Sequence, residues 1–326
     1  MFPVRSLVTI SVLALLAVSC GTDSADSTTT VPTTPSTSST TVVSTTLAPT
    51  TTVSALFPVE VMTDLGPVSI ESRPERVVSL SATHTEIIYE LAVETQLVAV
   101  DLFSNYPPAA ADKTKIDSFS FNVEEVAALD PDLVIIAFDF QGESAALAAV
   151  DIPFLLLGPP VDLDGMYQQF RVIGDALGVS GAGEALATRA EERARAISAD
   201  AQSITGQRFF HEVDDTYYTA TSASFIGDVY SSLGLVNIAD SAQVGGAFPQ
   251  LSAEFIFDQN PDLIFLGDAA FGASAETVAA RPGWDVLSAV AEGHIIEIDA
   301  DISGRWGPRT IDLMQDILNA VRDAQR

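Results

Sequence analysis

The sequence predicts an α/β fold of two lobes joined by one long helix, and three observations support this prediction. Short apolar runs typical of buried strands alternate with helical segments in both halves of the chain from residue 57 onward. Between these halves, from Met166 to about Ser203, no strand pattern occurs and the residues are typical of helices. One segment of the first half is echoed in the second. At 326 residues, the chain is long enough for two modest domains.

Residues 1–20 have the pattern of a bacterial secretory signal that ends in a cysteine. Arg5 precedes an apolar run, Leu7–Ser19, which is too short to span a bilayer well. The run ends at Cys20, the only cysteine of the chain. Small residues before a lone cysteine resemble a lipoprotein signal, in which the cysteine is diacylated and becomes the mature N-terminus. An ordinary secreted protein with an incidental cysteine is the alternative.

Residues 21–56 are predicted to form a disordered stalk. They are rich in Thr, Ser and Pro, and the stretch from Gly21 to Val53 contains neither Lys nor Arg. Such a composition lacks the apolar content to build a core. A flexible coil of about 35 residues has an r.m.s. reach of roughly 30–35 Å. Acylation and a stalk together describe a tether that holds a folded body, beginning near Phe57, close to the membrane surface.

The first predicted lobe, residues 57–163, combines a hairpin with parallel strands. In the hairpin, residues 59–62 and 68–70 flank the turn at 64–66. The elements that follow are strands at Arg76–Leu80, Leu97–Asp101, Asp132–Phe138 and Ile152–Leu157, with a helix at Thr85–Ala92. The strand that begins at Asp132 is apolar on both faces, as a strand within a parallel sheet should be.

The remaining residues are predicted to form a helical connector, 164–204, and a second lobe, 205–326. The connector contains an amphipathic helix at Tyr167–Leu177 and a longer helix at Glu184–Ser203. In the second lobe, strands are predicted at Arg208–Val213, Tyr217–Ala220, Asp262–Leu266 and His294–Ile298, and a closing helix runs from about Pro308 to Arg326.

The chain is strongly acidic, with 44 acidic and 15 basic residues and a formal net charge of −29. This charge argues against nucleic acid and anionic lipid surfaces as partners. It also suggests a saline habitat, in which salt screens the self-repulsion. With no cysteine beyond Cys20, the mature protein must derive its stability from packed cores rather than disulfides.

The similar segments of the two halves are residues 122–135 and residues 252–265, which form an internal repeat. Each segment opens with an N-cap residue, carries a glutamate two positions later, and ends in Pro-Asp-Leu ahead of a buried strand. The glutamates are Glu124 and Glu254, which lie in the first helical turn, where the helix dipole favours an acid. Dipole complementation alone is one interpretation. Equivalent placement in related lobes favours another, namely two contacts for a partner that also has two halves.

Five landmarks occur in order along the chain: Arg76–Ser81 with Thr85–Glu86, Tyr106–Pro108, Leu129–Ile135, Ser224–Asn237 and Arg305–Arg309. In these motifs and their spacing, the chain from about Phe57 onward resembles the substrate-binding proteins of ABC importers for cobalamin, ferric siderophores and haem. The resemblance implies a helical-backbone periplasmic-binding-protein fold, in which two Rossmann-like lobes joined by one long helix hold the ligand between them. A helical backbone permits only small opening and closing movements.

The resemblance also implies partners and a location. Glu124 and Glu254 correspond to the surface glutamates, one in each lobe, that dock on arginines of the membrane permease. The expected partners are therefore an ABC importer permease with its ATPase, and the membrane through a lipid on Cys20. The protein is expected outside the cytoplasm, anchored to the cell membrane.

The resemblance implies a set of ligand-binding residues. Positions carried over from the family are Phe103, Phe138, Phe248 and Arg305. Phe119 and Phe121 flank a further aromatic position, which Ser118 occupies, and Trp306 replaces a residue that is usually small and is expected to add an aromatic wall. Aromatic side chains supply large contact area at low conformational cost, which suits the broad faces of a ferric siderophore, corrinoid or haem. The phenylalanines replace aromatics that often carry a hydrogen-bonding edge, so a more apolar cleft is expected. Core packing is the alternative for each phenylalanine. Arg305 and Arg309 suit an anionic ligand, and Arg309 could equally be structural.

The sequence contains no motif typical of enzymes. It has no Gly-rich phosphate loop and no G-x-S-x-G, H-E-x-x-H or C-x-x-C motif. We therefore expect no catalytic residues, no covalent cofactor and no resident metal. His84, His211 and His294 are far apart in sequence, and their convergence on a metal ion is an alternative. A ligand sensor of the same fold, docking on a receptor, is the other alternative function.

Overall fold

The computed structural model describes residues 57–242 and 245–326, which belong to one unit of the chain. The predicted signal, Cys20 and the stalk lie outside the described residues, so they stay predictions. The α/β fold class is confirmed within the described residues. The strands of both larger sheets run parallel, and helices connect them.

The first lobe begins with an antiparallel hairpin of β1 (Val59–Thr63) and β2 (Gly66–Ile70). The strands of its sheet are β3 (Val77–Leu80), β4 (Leu97–Asp101), β5 (Thr114–Ile116), β6 (Leu133–Ile136) and β7 (Phe154–Leu156). Their order across the sheet is β5-β4-β3-β6-β7. The helices are α1 (Ala82–Glu90), α2 (Val123–Ala127) and α3 (Glu143–Ala149). β6 is buried at every position, which explains its uninterrupted apolar run.

Two helices follow the first lobe, α4 (Leu163–Ala176) and α5 (Ser180–Asp200). The predicted long helix therefore begins four residues earlier than Glu184 and ends three residues before Ser203. Glycine allows the two helices to approach closely, because a Cβ on Gly183 would lie only 2.7 Å from the Phe170 carbonyl oxygen. The connector is thus a packed helical pair rather than a single exposed rod.

The second lobe repeats the design of the first with a smaller parallel sheet. Its strands are β8 (Arg208–Glu212), β9 (Val236–Asn237), β10 (Leu263–Leu266) and β11 (Ile295–Glu297). Their order across the sheet is β11-β10-β8-β9. Its helices are α6 (Phe225–Ser232), α7 (Ala253–Gln259), α8 (Ala275–Ala279), α9 (Ser288–Ala291), α10 (Ala300–Ser303) and α11 (Thr310–Ala324).

The strand predicted at Tyr217–Ala220 is wrong: this segment makes one isolated bridge, between Tyr218 and Gln250. The cause is a turn upstream, in which the Asp214 carboxylate accepts the backbone N–H of Thr216 at 2.8 Å. Tyr217 then adopts a left-handed conformation with φ of 71°, which interrupts the extended backbone.

The echo in the sequence corresponds to equivalent structure in the two lobes. α2 leads into β6, which pairs with β3, and α7 leads into β10, which pairs with β8. The Asp132 carboxylate accepts the N–H of Arg76 at 2.9 Å. The Asp262 carboxylate accepts the N–H of Arg208 at 2.8 Å. The aspartate of the Pro-Asp-Leu motif therefore anchors the start of β3 in the first lobe and of β8 in the second.

The largest hydrophobic core does not stop at the lobe boundary. It joins side chains of β3 and β6 to those of α4, α5, β8 and α11, whereas each sheet has a smaller core on its other face. Because moving one lobe against the other disturbs this shared core, the joint between them resists large opening.

Candidate ligand-binding cleft

A cavity of about 610 Å³ lies between the lobes, at the carboxyl ends of strands from both sheets. Phe138 follows β6 and Pro159–Val161 follows β7 on one side, while Val213 follows β8 and Gly267 follows β10 on the other. The carboxyl edge of a parallel sheet is where open α/β folds bind ligands. The volume is in the range of ligand-binding pockets.

One wall of the cavity is aromatic and combines Phe138 of the first lobe with Trp306 of the second. Phe138 is 40% exposed and stacks on Phe140, with ring centroids 4.9 Å apart and planes at 14°. The edge-to-face partner of Phe138 is Trp306, at 6.2 Å. Trp306 itself is buried, and its Nε1 donates to Oε1 of Gln169 at 2.8 Å. This bond orients the indole ring in the cavity wall.

The opposite wall carries Phe248 and Phe271, which are 57% and 88% exposed. The first turn of α6 forms its base, where Ser224 Oγ accepts the N–H of Gly227 at 3.1 Å. A Cβ on Gly227 would overlap the carbonyl oxygen of Thr221, so only glycine lets the chain turn into α6 here. These contacts fix the second-lobe side of the cavity.

Three predicted ligand residues lie beside the cavity rather than in its wall. Phe103 and Phe119 are more than half exposed and meet edge to face, with centroids 5.6 Å apart. Phe121 is partly buried and packs against the first-lobe core. Phe119 and Phe121 line a small recess with Phe138 and Phe140, so Phe138 belongs to both the recess and the cavity.

Arg305 is among the buried polar residues and does not line the cavity. Its Nη1 donates to Oε1 of Glu86 at 2.7 Å and to Oδ1 of Asn105 at 2.9 Å. Its Nη2 donates to the carbonyl oxygen of Phe103 at 3.1 Å and forms an ion pair with Asp301 at 3.1 Å. The guanidinium thus connects the second lobe to the first, and its predicted contact with a ligand stays a prediction.

Arg309 binds the Glu86 carboxylate that Arg305 also binds. Its Nε and Nη2 donate to Oε2 and Oε1 of Glu86, at 2.9 and 2.6 Å. Its guanidinium also lies over the ring of Tyr106, 4.1 Å from the centroid. The Glu86 hydrogen bonds raise the pKa of Arg309 above its usual range. Sequence reasoning left Glu86 without a role, and nothing local marks it as the partner of both arginines.

The three histidines occupy separate places. His211 lines the cavity, and its Nδ1 lies 3.1 Å from the hydroxyl of Tyr230. Burial lowers the pKa of His211 and of His84 to about 4, so both rings are neutral at pH 7. His294 contacts the carbonyl oxygen of Asp262 at 3.3 Å. Among residues 57–242 and 245–326, no group of three potential ligands could hold a metal ion.

Glu124 and Glu254 are exposed residues in the first turns of α2 and α7. N-caps precede both, since Asn122 accepts the N–H of Glu124 and Ser252 accepts that of Phe255. Neither glutamate forms an ion pair with another described residue. Because each helix leads into a parallel strand, its first turn lies toward the carboxyl edge of the sheet, where the cleft is.

Sequence reasoning missed Phe271, Val161 and the two prolines before it as parts of the cavity wall, and Phe140 as part of the adjoining recess. The available signal was their position, because each follows the carboxyl end of a strand. Among the large apolar side chains of the described residues, Phe140 and Phe271 have the highest exposed fractions, 78% and 88%.

Comparison with known proteins points to one family. Residues 77–302 match the family described as "Periplasmic binding protein". A cobalamin-binding protein of Halobacterium salinarum is 28% identical over 266 residues, which cover 78% of this chain and 72% of that protein. The substrate-binding lipoprotein YvrC of an ABC transporter in Bacillus subtilis is 27% identical over 267 residues, which cover 78% and 82% of the two chains.

The fold also matches solved structures. The periplasmic heme-binding protein RhuT from Roseiflexus, in its apo form, superimposes with a TM-score of 0.69 at 27% identity, covering 77% of this chain and 99% of RhuT. Among the helices that the structure describes, none combines the length and the apolar character that crossing a membrane requires.

Proposed function

The chain belongs to the periplasmic binding protein family, and we propose that it captures a metal chelate between its lobes for an ABC importer. The candidates are a ferric siderophore, a corrinoid or haem. One observation carries the proposal: a cavity of about 610 Å³ whose apolar walls include aromatic side chains from both lobes. Relatives that bind cobalamin and heme support the choice of a large chelate.

We propose that aromatic faces supply most of the binding energy. Phe138 of the first lobe and Trp306 of the second would contact the ligand from one wall, and Phe248 would contact it from the other. Phe103, Phe119 and Phe121 would contact the parts of a large chelate that extend beyond the cavity. Aromatic contacts contribute about 0.5–1.5 kcal/mol each beyond their area burial. Arg305 would act indirectly, because it holds the backbone carbonyl of Phe103 and does not itself reach the cavity.

Delivery to the permease would use the two exposed glutamates. Glu124 and Glu254 are unpaired within the described residues and begin equivalent helices of the two lobes. Rim charges of this kind steer association and set register more than they add affinity. The double variant Glu124→Arg with Glu254→Arg should abolish ligand uptake by cells and leave ligand affinity unchanged. Unchanged uptake would contradict docking through this pair.

The anchor would be a lipid on Cys20, outside the described residues. The YvrC relative carries the name lipoprotein, which supports this proposal. A tether raises the effective concentration of the binding protein near its permease, so docking can stay weak and reversible. Cys20→Ala should release the protein from membranes and reduce uptake at low ligand concentration, without a change in ligand affinity. Retention in the membrane fraction would contradict the anchor.

A fluorescence titration tests the binding function directly, because the chain has only two tryptophans. Trp306 lines the cavity, whereas Trp284 is buried in the separate core of the second lobe. Cyanocobalamin, hemin and a ferric trihydroxamate should be titrated while fluorescence and visible absorption are recorded. At least one should quench Trp306 with a Kd of about 1 μM or below, worth roughly −8 kcal/mol.

The control is Trp306→Phe, which keeps an aromatic ring in the wall and leaves Trp284 as the reporter. Quenching should be largely lost in this variant, while the absorption titration still detects binding. If no chelate binds the wild-type protein at micromolar concentrations, the assignment of the cleft is wrong.

A further inference from the structure

We infer that the cleft selects chelates without net negative charge and discriminates against anionic ones. This inference rests on the proposed function and adds the charge class of the ligand. Four features carry it: the composition of the cavity wall, the pairing of Arg305 and Arg309, an acidic recess beside the cavity, and the charge of the whole chain.

The cavity wall contains no cationic side chain among the described residues. Its lining consists of aromatic, aliphatic, proline and small residues, and its only titratable member is His211. That ring is neutral at pH 7, because burial lowers its pKa to about 4. The polar groups that remain are uncharged, such as the hydroxyls of Ser224 and Ser303. A carboxylate or catecholate placed here would find no opposite charge.

Arg305, which lies between the cavity-lining residues Gly304 and Trp306, is already paired, and so is Arg309. Arg305 and Arg309 both donate to the buried carboxylate of Glu86, and Arg305 has a second carboxylate in Asp301. Recruiting either guanidinium to an anionic ligand would take away one of the two cationic partners of Glu86, which is 3% exposed. Breaking an ion pair of a buried carboxylate is unfavourable, so these arginines are not available to the ligand.

A second recess of about 440 Å³ adjoins the cleft and is acidic. It shares Val213 and Phe271 with the cleft, and its lining includes Asp214, Asp215 and Asp268. Oδ1 of Asp268 is buried without a hydrogen-bond partner.

The lining of the recess includes one cationic side chain, Arg281, which is already paired with Glu212. Its Nη1 and Nη2 donate to both carboxylate oxygens of Glu212, at 2.5 and 2.6 Å. Carboxylates therefore outnumber available cations beside the cleft. The chain as a whole adds a net charge of −29, which repels anions at long range.

Pairs of chelates provide the test, each with one member that has no net negative charge and one anionic member. The first pair is a corrinoid with its side-chain amides intact and the same corrinoid with those amides hydrolysed to carboxylates. The second pair is hemin dimethyl ester and hemin, and the third is a neutral ferric trihydroxamate and an anionic ferric tris-catecholate. Affinities should be measured with the full chain at pH 7.5 and about 0.15 M salt, where the Debye length is about 8 Å.

In every pair that binds, the anionic member should bind at least about 100-fold more weakly, which corresponds to ~2.8 kcal/mol at 1.4 kcal/mol per tenfold change. An anionic member that binds within threefold of its neutral counterpart, or more tightly, overturns the inference. If neither member of any pair binds, the proposed function itself fails, so the two failures are distinguishable.

A variant that introduces a cation supplies the second test. Val161 lines the cleft and is 67% exposed, so Val161→Arg should fold normally and bring the anionic member within about tenfold of the neutral one. Met62→Arg is the matched control, because Met62 is 62% exposed on β1 and does not line the cleft. Equal shifts in both variants would point to net charge alone and would contradict a role for the cleft wall.

Discussion

The joint between the lobes depends on Glu86, and Glu86→Gln is the sharpest perturbation of it. Glu86 lies on α1 of the first lobe, and the two arginines that it binds precede α11 in the second. Its carboxylate accepts three hydrogen bonds from these guanidinium groups, at 2.7, 2.9 and 2.6 Å. Glutamine keeps the size of the side chain and removes the charge.

The expected loss follows from burial. The side chain of Glu86 is 2% exposed, and those of Arg305 and Arg309 are 10% and 16% exposed. Removing one partner of a buried ion pair costs about 3–5 kcal/mol. Arg305 keeps its contacts with Asp301 and Asn105, so we expect the lower end of this range, ~3 kcal/mol. With a urea m-value of about 3 kcal/mol/M, the midpoint should fall by about 1 M.

Urea unfolding at pH 7 measures this loss, and Glu184→Gln is its control. Glu184 also binds an arginine, Arg171, at 2.7 Å, but its side chain is 61% exposed. An exposed pair contributes below about 1 kcal/mol, so the control should lower the midpoint by no more than about 0.3 M. Equal shifts in the two variants would refute the reasoning that burial gives the Glu86 cluster its strength.

Three further outcomes are expected. Burial holds the His211 pKa near 4, so its contribution to stability is present above about pH 6.5 and is lost as the pH falls toward 4. When the pH falls from 7 to 5, the free energy of unfolding should therefore decrease by about 2 kcal/mol less in His211→Gln than in the wild type. Urea titration at the two pH values measures this difference. Gly227→Ala should destabilise the protein severely, because its Cβ overlaps the Thr221 carbonyl oxygen, and soluble yield with thermal unfolding checks this. Phe271→Ala should leave the melting temperature within about 2 °C while weakening chelate binding up to tenfold, since this ring is exposed in the cleft wall.

Most of the central strands were predictable because burial on both faces leaves long apolar runs. β6 and β10 are buried at every position, and the Pro-Asp-Leu motifs mark where each begins. β5 and β9 were not predicted, because they are edge strands of three and two residues without such a run. The turn at Asp214 was not predicted either, because it depends on one side-chain hydrogen bond, which β-strand propensities do not take into account.

The cleft was predictable in part, for a related reason. Phe138 and Phe248 line the cavity, as the positions carried over from the family predict, and so does Trp306, which was expected to add an aromatic wall. The surroundings of Arg305 were not predictable, because its main partner, Glu86, is 219 positions away in the sequence. An arginine at a ligand-binding position suggests an anionic ligand only if it is unpaired, and pairing is a property of the fold.

The pairing of Arg305 therefore links the stability of the joint to the selectivity of the cleft. Glu86 and Asp301 together balance the charges of Arg305 and Arg309, and Arg305 also contacts the carbonyl of Phe103, a predicted ligand residue. Glu86→Gln should consequently do more than destabilise the joint: it should leave positive charge beside the cleft and narrow the preference for neutral over carboxylated corrinoid by about tenfold. The affinity ratio, measured under conditions where the variant is fully folded, is insensitive to a simple loss of stability. An unchanged ratio alongside reduced stability would mean that the arginines only join the lobes, and that the apolar wall alone sets the charge preference.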